Sequence, residues 1–449
     1  MIAHIPPRKP RAWVSPLLTL LVLLLATATG KTQEQLTADG AVKIGLERNY
    51  NVQILRNQEA IAANNNTPGR AGMLPTVNGT GTGSYAINNT EQKFFNGDSR
   101  GAKDASSINF RLGLEVNWTA FDGFRMFIER DRLQTLEQQS RTQTIAQMQG
   151  LAATILAAYY NLVQLERSTE NLRYAVRLDR DLLTLVQNKK RIGTATGLEL
   201  LQSEARLSAD SVRLHELETQ IARTRMNFNQ LLNRPVETGF AVDTVMASQL
   251  LPSVDELLAR SLQANPAVQL QKLERQLSAL NSERLKGAKL PELGLQGTLN
   301  YGYTRNDVGF LLSNRNFGPT IGLTLRYTIY DGDNRNRDIA NARINEENAR
   351  LRETDLLRVL EAQIRNSYAD YQALRQLNGL EQRNLEVARE QAALARELYR
   401  LGRTTNFEVR EATLQEIQAQ DRLIQTLFRL KQTEINLLDL AGIPLYSPQ

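Results

Sequence analysis

The sequence predicts an α+β membrane protein assembled from two internal repeats, each with a β-barrel portion and a long helical coiled-coil portion. Three observations carry this. The residues repeat themselves, between about 39 and 239 and again between about 254 and 449. Each repeat holds stretches in which apolar and polar residues alternate at period two. Each then runs for about 68 residues without a proline, which at ~1.5 Å per residue is a helix about 100 Å long.

The register of the repeat is well defined. Leu46, Asn49, Val52, Leu74, Pro75 and Tyr85 recur 216 positions later as Leu262, Asn265, Val268, Leu290, Pro291 and Tyr301. Phe121-Asp122-Gly123 matches Tyr330-Asp331-Gly332, Ile192-Gly193 matches Leu401-Gly402, and Pro235 matches Pro444, all at an offset of 209. A length change between Pro75 and Asp122, and none afterwards, places a surface loop first and tightly packed long elements next. The predicted organisation is a signal segment 1–28, repeat one 29–239, a linker 240–254 and repeat two 255–449. Repeat one holds short helices, a β-hairpin 73–119 and a helical hairpin 122–233; repeat two holds short helices, a β-hairpin 289–330 and a helical hairpin 332–442.

The signal segment rests on Arg8, Lys9 and Arg11, the apolar run Leu17 to Ala26, and the small-residue pattern Ala26-Thr27-Ala28. The run is shorter than the roughly 20 residues that span a bilayer. No later window is apolar for long enough to be a transmembrane helix, yet an exported chain can still enter a membrane as a β-barrel. The absence of cysteine excludes disulfides, thiolate metal sites, a cysteine nucleophile and an acylated N-terminal cysteine. The formal net charge of +6 falls to about +3 without the signal, against 23% charged residues, so nucleic acid is not an expected partner.

Each repeat opens with helical periodicity. Leu46, Val52, Ile54 and Ile61 in the first copy, and Leu257, Leu258, Leu262, Val268, Leu270 and Leu277 in the second, fit short amphipathic helices ending before Pro75 and Pro291. Pro266 is expected to break the second set in two. Three strands of about ten residues follow from alternation. They are Leu293 to Tyr303, Phe110 to Trp118 and Ile321 to Ile329. A fourth, Thr76 to Ala86, is rich in threonine and glycine. Arg111, Glu115 and Arg326 lie on the polar face and aromatic residues end the apolar face, a pattern of apolar-out, polar-in barrel strands with aromatic girdles. Residues 87–107 and 305–317 read as loops.

Asp122 and Asp331 are placed to cap the helices that follow, from Phe124 to about Arg191 and from Asn334 to about Arg400, interrupted only by Gly150 and Gly379. Ile145, Met148, Ala152, Ile155, Tyr159 and Leu162 step by three and four, as in a coiled-coil seam. Glycine turns at Gly193 and Gly402 lead into returning helices, Leu198 to Leu232 and Phe407 to Leu440. Four strands per chain are too few to close a barrel, since single-chain barrels begin at eight, so several copies must share one.

In this order, twice over, the residues resemble the TolC family of outer-membrane efflux proteins. The resemblance covers nearly the whole mature chain. It is carried by the two-fold repeat, Leu74-Pro75 and Leu290-Pro291, the aromatic-Asp-Gly exits at Phe121 and Tyr330, and Tyr399-Arg400-Leu401-Gly402. It implies a homotrimer with a shared 12-stranded β-barrel in outer-membrane lipid and a periplasmic α-helical tunnel. Its implied partners are a periplasmic membrane-fusion adaptor and an inner-membrane transporter of the RND, ABC or MFS type, in efflux or type I secretion.

By the same resemblance, acids just inside the tips form a periplasmic constriction; the matching positions are Glu199, Glu408 and Glu411. Their other reading is ordinary first-turn glutamates favoured by the helix dipole. Tyr399 matches a position whose hydroxyl can bond the acid of the other tip, here Glu199; the alternative is a tyrosine packed at a helix end. Lys189, Lys190, Arg191 and Arg403, around Gly193 and Gly402, are either cations at helix C-termini or an adaptor-docking surface.

An enzyme is not expected. After the signal, His215 is the one histidine, and there is no metal-ligand spacing or phosphate loop, so no cofactor is predicted. A periplasmic coiled-coil adaptor or tether is the alternative function; it accounts for the helical hairpins and leaves the four strands unexplained.

Overall fold

The computed structural model describes residues 34–446. The predicted signal segment 1–28 lies outside the described residues. The element order is β1 (Glu34–Leu36), α1 (Ala38–Arg48), α2 (Tyr50–Asn65), β2 (Thr76–Lys93), β3 (Ser99–Phe121), α3 (Arg125–Arg191), α4 (Gly197–Leu231) and β4 (Phe240–Val242). It continues with α5 (Val254–Ala264), α6 (Pro266–Gly287), β5 (Glu292–Asn306), β6 (Ser313–Arg326), α7 (Asn334–Arg400) and α8 (Asn406–Leu440). Each repeat contributes two short helices, one β-hairpin and one long helical hairpin. No helix among the described residues is long and apolar enough to cross a membrane.

The short helices break at an asparagine in both copies. Asn49 and Asn265 leave helical geometry with ψ of 121° and 122°, and each Oδ1 accepts from the backbone N–H groups two and three residues on. Pro266 takes the first helical position, where its missing N–H costs nothing. The shared asparagine, rather than the proline, therefore sets the break, because it caps the next helix in the copy that lacks proline as well.

The four long strands form one antiparallel sheet in the order β2-β3-β5-β6. They are longer than alternation predicts: 18, 23, 15 and 14 residues. Most of residues 87–107, read as a loop, is ladder, with a bulge between Asn88 and Thr90 and a turn over residues 94–98. Beyond the apolar band the strands no longer need an apolar face, and backbone pairing alone continues them through Ser, Thr, Asn and Lys. The same applies to β6, which begins inside the expected loop 305–317 and ends at Arg326, short of Ile329.

The capping aspartates act from two residues further back than a standard cap. Phe124 and Asp333 occupy the cap position in left-handed geometry, φ 67° and 63°, while Asp122 Oδ1 and Asp331 Oδ2 accept from Met126 and Arg335 N–H at 3.2 Å each. The chain thus turns from sheet to helix through two consecutive left-handed residues.

The long helices lie four abreast. One half of α3 is flanked by α2 and α6, its other half by α4 and α8, and α7 packs beyond α6 and α8. Stacked short helices thus complete what the returning helices leave unfilled. Midway, β1 and β4 pair in parallel, so residues 240–242 of the expected linker are structured. The largest core gathers there, with Ala152, Ile155, Tyr159 and Leu162 of the predicted seam buried against Leu232, Phe228 and Phe240; Ile145 stays exposed.

Two tyrosines pin the segments that cross this waist. Tyr159 Oη donates to Leu36 O and accepts from Asp243 N–H, both at 3.0 Å. Tyr371 Oη donates to Gln249 O at 2.8 Å and accepts from Leu251 N–H at 3.1 Å. Removing the hydroxyl strands the buried Leu251 N–H, so Tyr371→Phe is expected to cost about 1–3 kcal/mol. Thermal unfolding of the detergent-solubilised protein checks this; an unshifted Tm would show that the segment 247–251 is held by packing alone.

Candidate functional site

Three features of the strip bear on function: the sheet faces, the free edges and the helical tips. On the sheet, the ladder register aligns the apolar residues into a band. Leu112 pairs with Tyr301 and Tyr301 with Phe317; Val116 pairs with Val77; Trp118 pairs with Leu295 and Leu295 with Leu323. Most of these side chains stand exposed, Phe317 and Leu323 at 71% and 66%. An uncovered apolar band this continuous, on a sheet whose other face carries Arg111, Glu115, Gln296 and Asn300, is built for lipid on one side and water on the other.

Both edges of the strip are open. β2 and β6 have one ladder partner each. On the helical part α4 carries an exposed row, Leu198, Leu201, Ala205, Ser208, Val212, His215, Thr219, Ala222 and Met226, stepping by three and four. The opposite edge, α7, carries Leu377, Leu380, Asn384, Val387 and Leu394 in the same rhythm, all exposed. These are coiled-coil seams without a partner in the chain. Their internal counterparts, 209 positions away, do have one: Asn171 of α3 donates to Asp421 Oδ1 of α8 at 2.9 Å, and Ile424 is buried between them. Sequence reading passed over the α4 row because alanine, serine and threonine dilute it; the three-four spacing was its signal.

At the tips the hairpins turn alike. Gly193 and Gly402 adopt φ of +79° and +74°. The N–H groups of Gly193 and Thr194 donate to Lys190 O and Lys189 O at 3.0 and 2.8 Å, and those of Gly402 and Arg403 donate to Tyr399 O and Leu398 O at 3.1 and 2.8 Å. This crossed closure needs a left-handed residue, hence glycine. The returning helices then open with capping boxes. Thr196 Oγ1 accepts from Glu199 N–H and the Glu199 carboxylate from Thr196 N–H, both at 3.2 Å; Thr405 and Glu408 repeat this at 3.3 Å. Glu408 and Glu411 are exposed and Glu199 is half-buried; Glu411 accepts from Gln415 Nε2 at 3.2 Å.

The expected hydrogen bond from Tyr399 to Glu199 is not formed. Glu199 is taken up by its own cap, and the Tyr399 ring is buried with Val186 and Val409, its hydroxyl without a partner. Burial, and after it the Glu199 charge, push that hydroxyl above the ordinary tyrosine range. The tips are joined instead by Lys189, whose Nζ donates to Tyr399 O at 2.6 Å and stands 3.6 Å from its ring centroid. A lysine at the C-terminus of another helix satisfies both the dipole and the ring. Lys190, Arg191 and Arg403 are exposed.

A buried polar cluster that sequence reading did not single out lies a few turns inside the tip. Arg206 Nε of α4 meets Asp179 Oδ1 of α3 at 2.9 Å, and Arg206 Nη1 donates to Arg410 O of α8 at 3.2 Å. One turn up α4, Asp210 lies against Asp179 and is paired with Arg213 at 3.7 Å. A second such tie, Glu416 of α8, accepts from Tyr174 of α3 and Arg396 of α7, both at 3.2 Å.

The family model described as outer membrane efflux protein matches residues 44–234 and 257–443. The chain is 23% identical over 392 residues to the pyoverdine export outer membrane protein OpmQ of Pseudomonas aeruginosa, covering 83% of this chain and 78% of that one. It is 24% identical over 330 residues to the outer membrane protein TolC of Vibrio cholerae, 70% of each. Among solved structures, the Campylobacter jejuni CmeC outer membrane channel superposes with a TM-score of 0.76 at 15% identity, covering 98% of this chain and 94% of that one.

Proposed function

Because the chain belongs to the outer membrane efflux protein family, it is an outer-membrane export channel with a helical tunnel in the periplasm, and we propose that it works as the passive conduit of a tripartite efflux or type I secretion system. The observation that supports this best is the open strip: sheet and helices run four abreast, with free edges on the same two sides at every level. Three copies joined edge to edge close a barrel of twelve strands above a tunnel of helices. The α4 seam of one copy then meets the α7 seam of the next, as α8 meets α3 within the chain. The polar sheet face lines the lumen and the apolar band faces lipid.

A conduit of this kind holds no energy source, so an inner-membrane pump supplies it and a periplasmic adaptor bridges the two. We assign adaptor docking to the grooves around Gly193 and Gly402, with Lys190, Arg191 and Arg403 exposed beside them and Lys189 held inward on Tyr399. Glu408 and Glu411, exposed at the start of α8, are the acids we place around the constriction; each keeps carboxylate surface free for passing cations. Glu199, capped in the same way as Glu408 but half-buried, is assigned a smaller share.

The test is biochemical. The full-length protein is expected in outer-membrane extracts as a trimer that dissociates on boiling, and to form ion-conducting channels in planar bilayers. Recovery as a soluble or inner-membrane monomer would overturn the reading in favour of a periplasmic tether.

A further inference from the structure

The two repeats differ most sharply where their helical hairpins should be most alike. At the offset of 209, Asp179, Arg206 and Asp210 of the first hairpin correspond to Ala388, Gln415 and Ala419 of the second. In the second hairpin Ala388 and Ala419 pack with Leu385 and Leu423 in a small apolar core. The same helix crossing is therefore stable without charge. The first hairpin instead buries the Asp179 carboxylate there, with the Arg206 guanidinium and the Asp210 carboxylate partly buried beside it.

The arrangement is one hydrogen-bond donor short. Asp179 is 3% exposed; Arg206 satisfies its Oδ1, while its Oδ2 is shut from solvent and meets no donor. Asn406 Oδ1, also buried and without a partner, lines the same small cavity between α3, α4 and α8. The charged groups around Asp179 are Arg206 and Asp210 from α4, with Arg213 on the far side of Asp210, and Arg410 from α8. A carboxylate shut from water beside a second one does not stay ionised cheaply; a proton on Asp179 relieves the repulsion and supplies the missing donor. Arg206, by its second bond to Arg410 O, carries this cluster across from the first hairpin to the second.

We propose that Asp179, Asp210 and Arg206 form a proton-operated tie between the two helical hairpins, which tightens on protonation and restrains the tip from opening. This rests on the conduit reading above. Burial, opposed by Arg206 and reinforced by Asp210, raises the Asp179 carboxyl from its ordinary 3.8 to about 6. The sign follows from linkage. The tied state holds the proton more strongly than a parted state in which the carboxyls are hydrated. Acid therefore favours the tie, fully so below the ordinary carboxyl range, and the preference is lost as pH rises through about 6.

Single-channel recording of the full-length protein in planar bilayers at pH 7.5 and 5.0 tests this. Each unit of difference in proton affinity between tied and parted states is worth about tenfold, so the wild-type open probability is expected to fall by about tenfold at the lower pH. The triple change Asp179→Ala, Arg206→Gln, Asp210→Ala installs residues already proven at this crossing in the second hairpin and is expected to remove the pH response. Asp179→Asn, whose amide can donate to Asp210 without a proton, is expected to keep the open probability low at both pH values. A triple variant that retains the wild-type response would overturn the proposal and assign the response elsewhere. A wild type indifferent to pH would overturn it too. Folded trimers that never conduct would instead overturn the conduit reading.

Discussion

Gly123→Ala is expected to abolish the assembled, heat-dissociable trimer. Gly123 turns the chain from β3 toward α3 at φ +74°, and a Cβ there would lie 2.2 Å from Gly287 O, the last residue of α6 in the other repeat. The approach is reciprocal, since a Cβ on Gly287 would lie 2.5 Å from Gly123 O. Backbone meets backbone, so no side chain can move aside. The left-handed conformation alone costs about 1–2 kcal/mol for an L-residue. Forcing atoms into a closed contact typically adds 1–3 kcal/mol, or about 2–5 kcal/mol in all. Gly150→Ala is the control: no atom lies within 4 Å of its virtual Cβ, mid-helix, and the change is expected to be neutral or stabilising by about 0.5–1 kcal/mol. Trimer yield in membrane extracts separates the two, and a Gly123→Ala trimer at wild-type level would show that the junction is looser than its geometry.

The second large effect is expected at the open edge. Val212 of α4 and Leu380 of α7 stand where the internal interface has Asp421 and Asn171, which hydrogen bond at 2.9 Å. Val212→Glu with Leu380→Glu sets like charges face to face at every junction between copies, at a cost of several kcal/mol each. Loss of the trimer with helical content retained is the expected outcome, read by size exclusion and circular dichroism. Val212→Asp with Leu380→Asn, in contrast, transplants the internal pair and is expected to assemble. Failure of that double variant alone would mean that the internal and external seams are not built to one plan.

Much of this fold was legible because long helices and repeats announce themselves. Proline-free runs bounded by Asp-Gly and by Gly193 or Gly402 placed α3 and α7 within a residue or two of their ends. Alternation found the strands, although only their membrane-facing middles, since outside the apolar band pairing leaves no mark on residue type. The tips were harder. Sequence alone could not decide whether Glu199 would reach Tyr399 or its own Thr196, because both bonds use one carboxylate and the difference is a matter of a few ångströms. Asp179 and Arg206 escaped for another reason: 27 residues apart on two helices, they are unremarkable until the second repeat supplies alanine and glutamine for comparison.

The two free edges of the strip differ from one another, and this governs how copies count themselves. An edge that binds its own like stops at two; an edge that binds its opposite continues until rotation brings the last copy back to the first. The chemistry of the α4 and α7 rows therefore dictates that copies join, and the angle through which one strip turns the next dictates when the ring shuts.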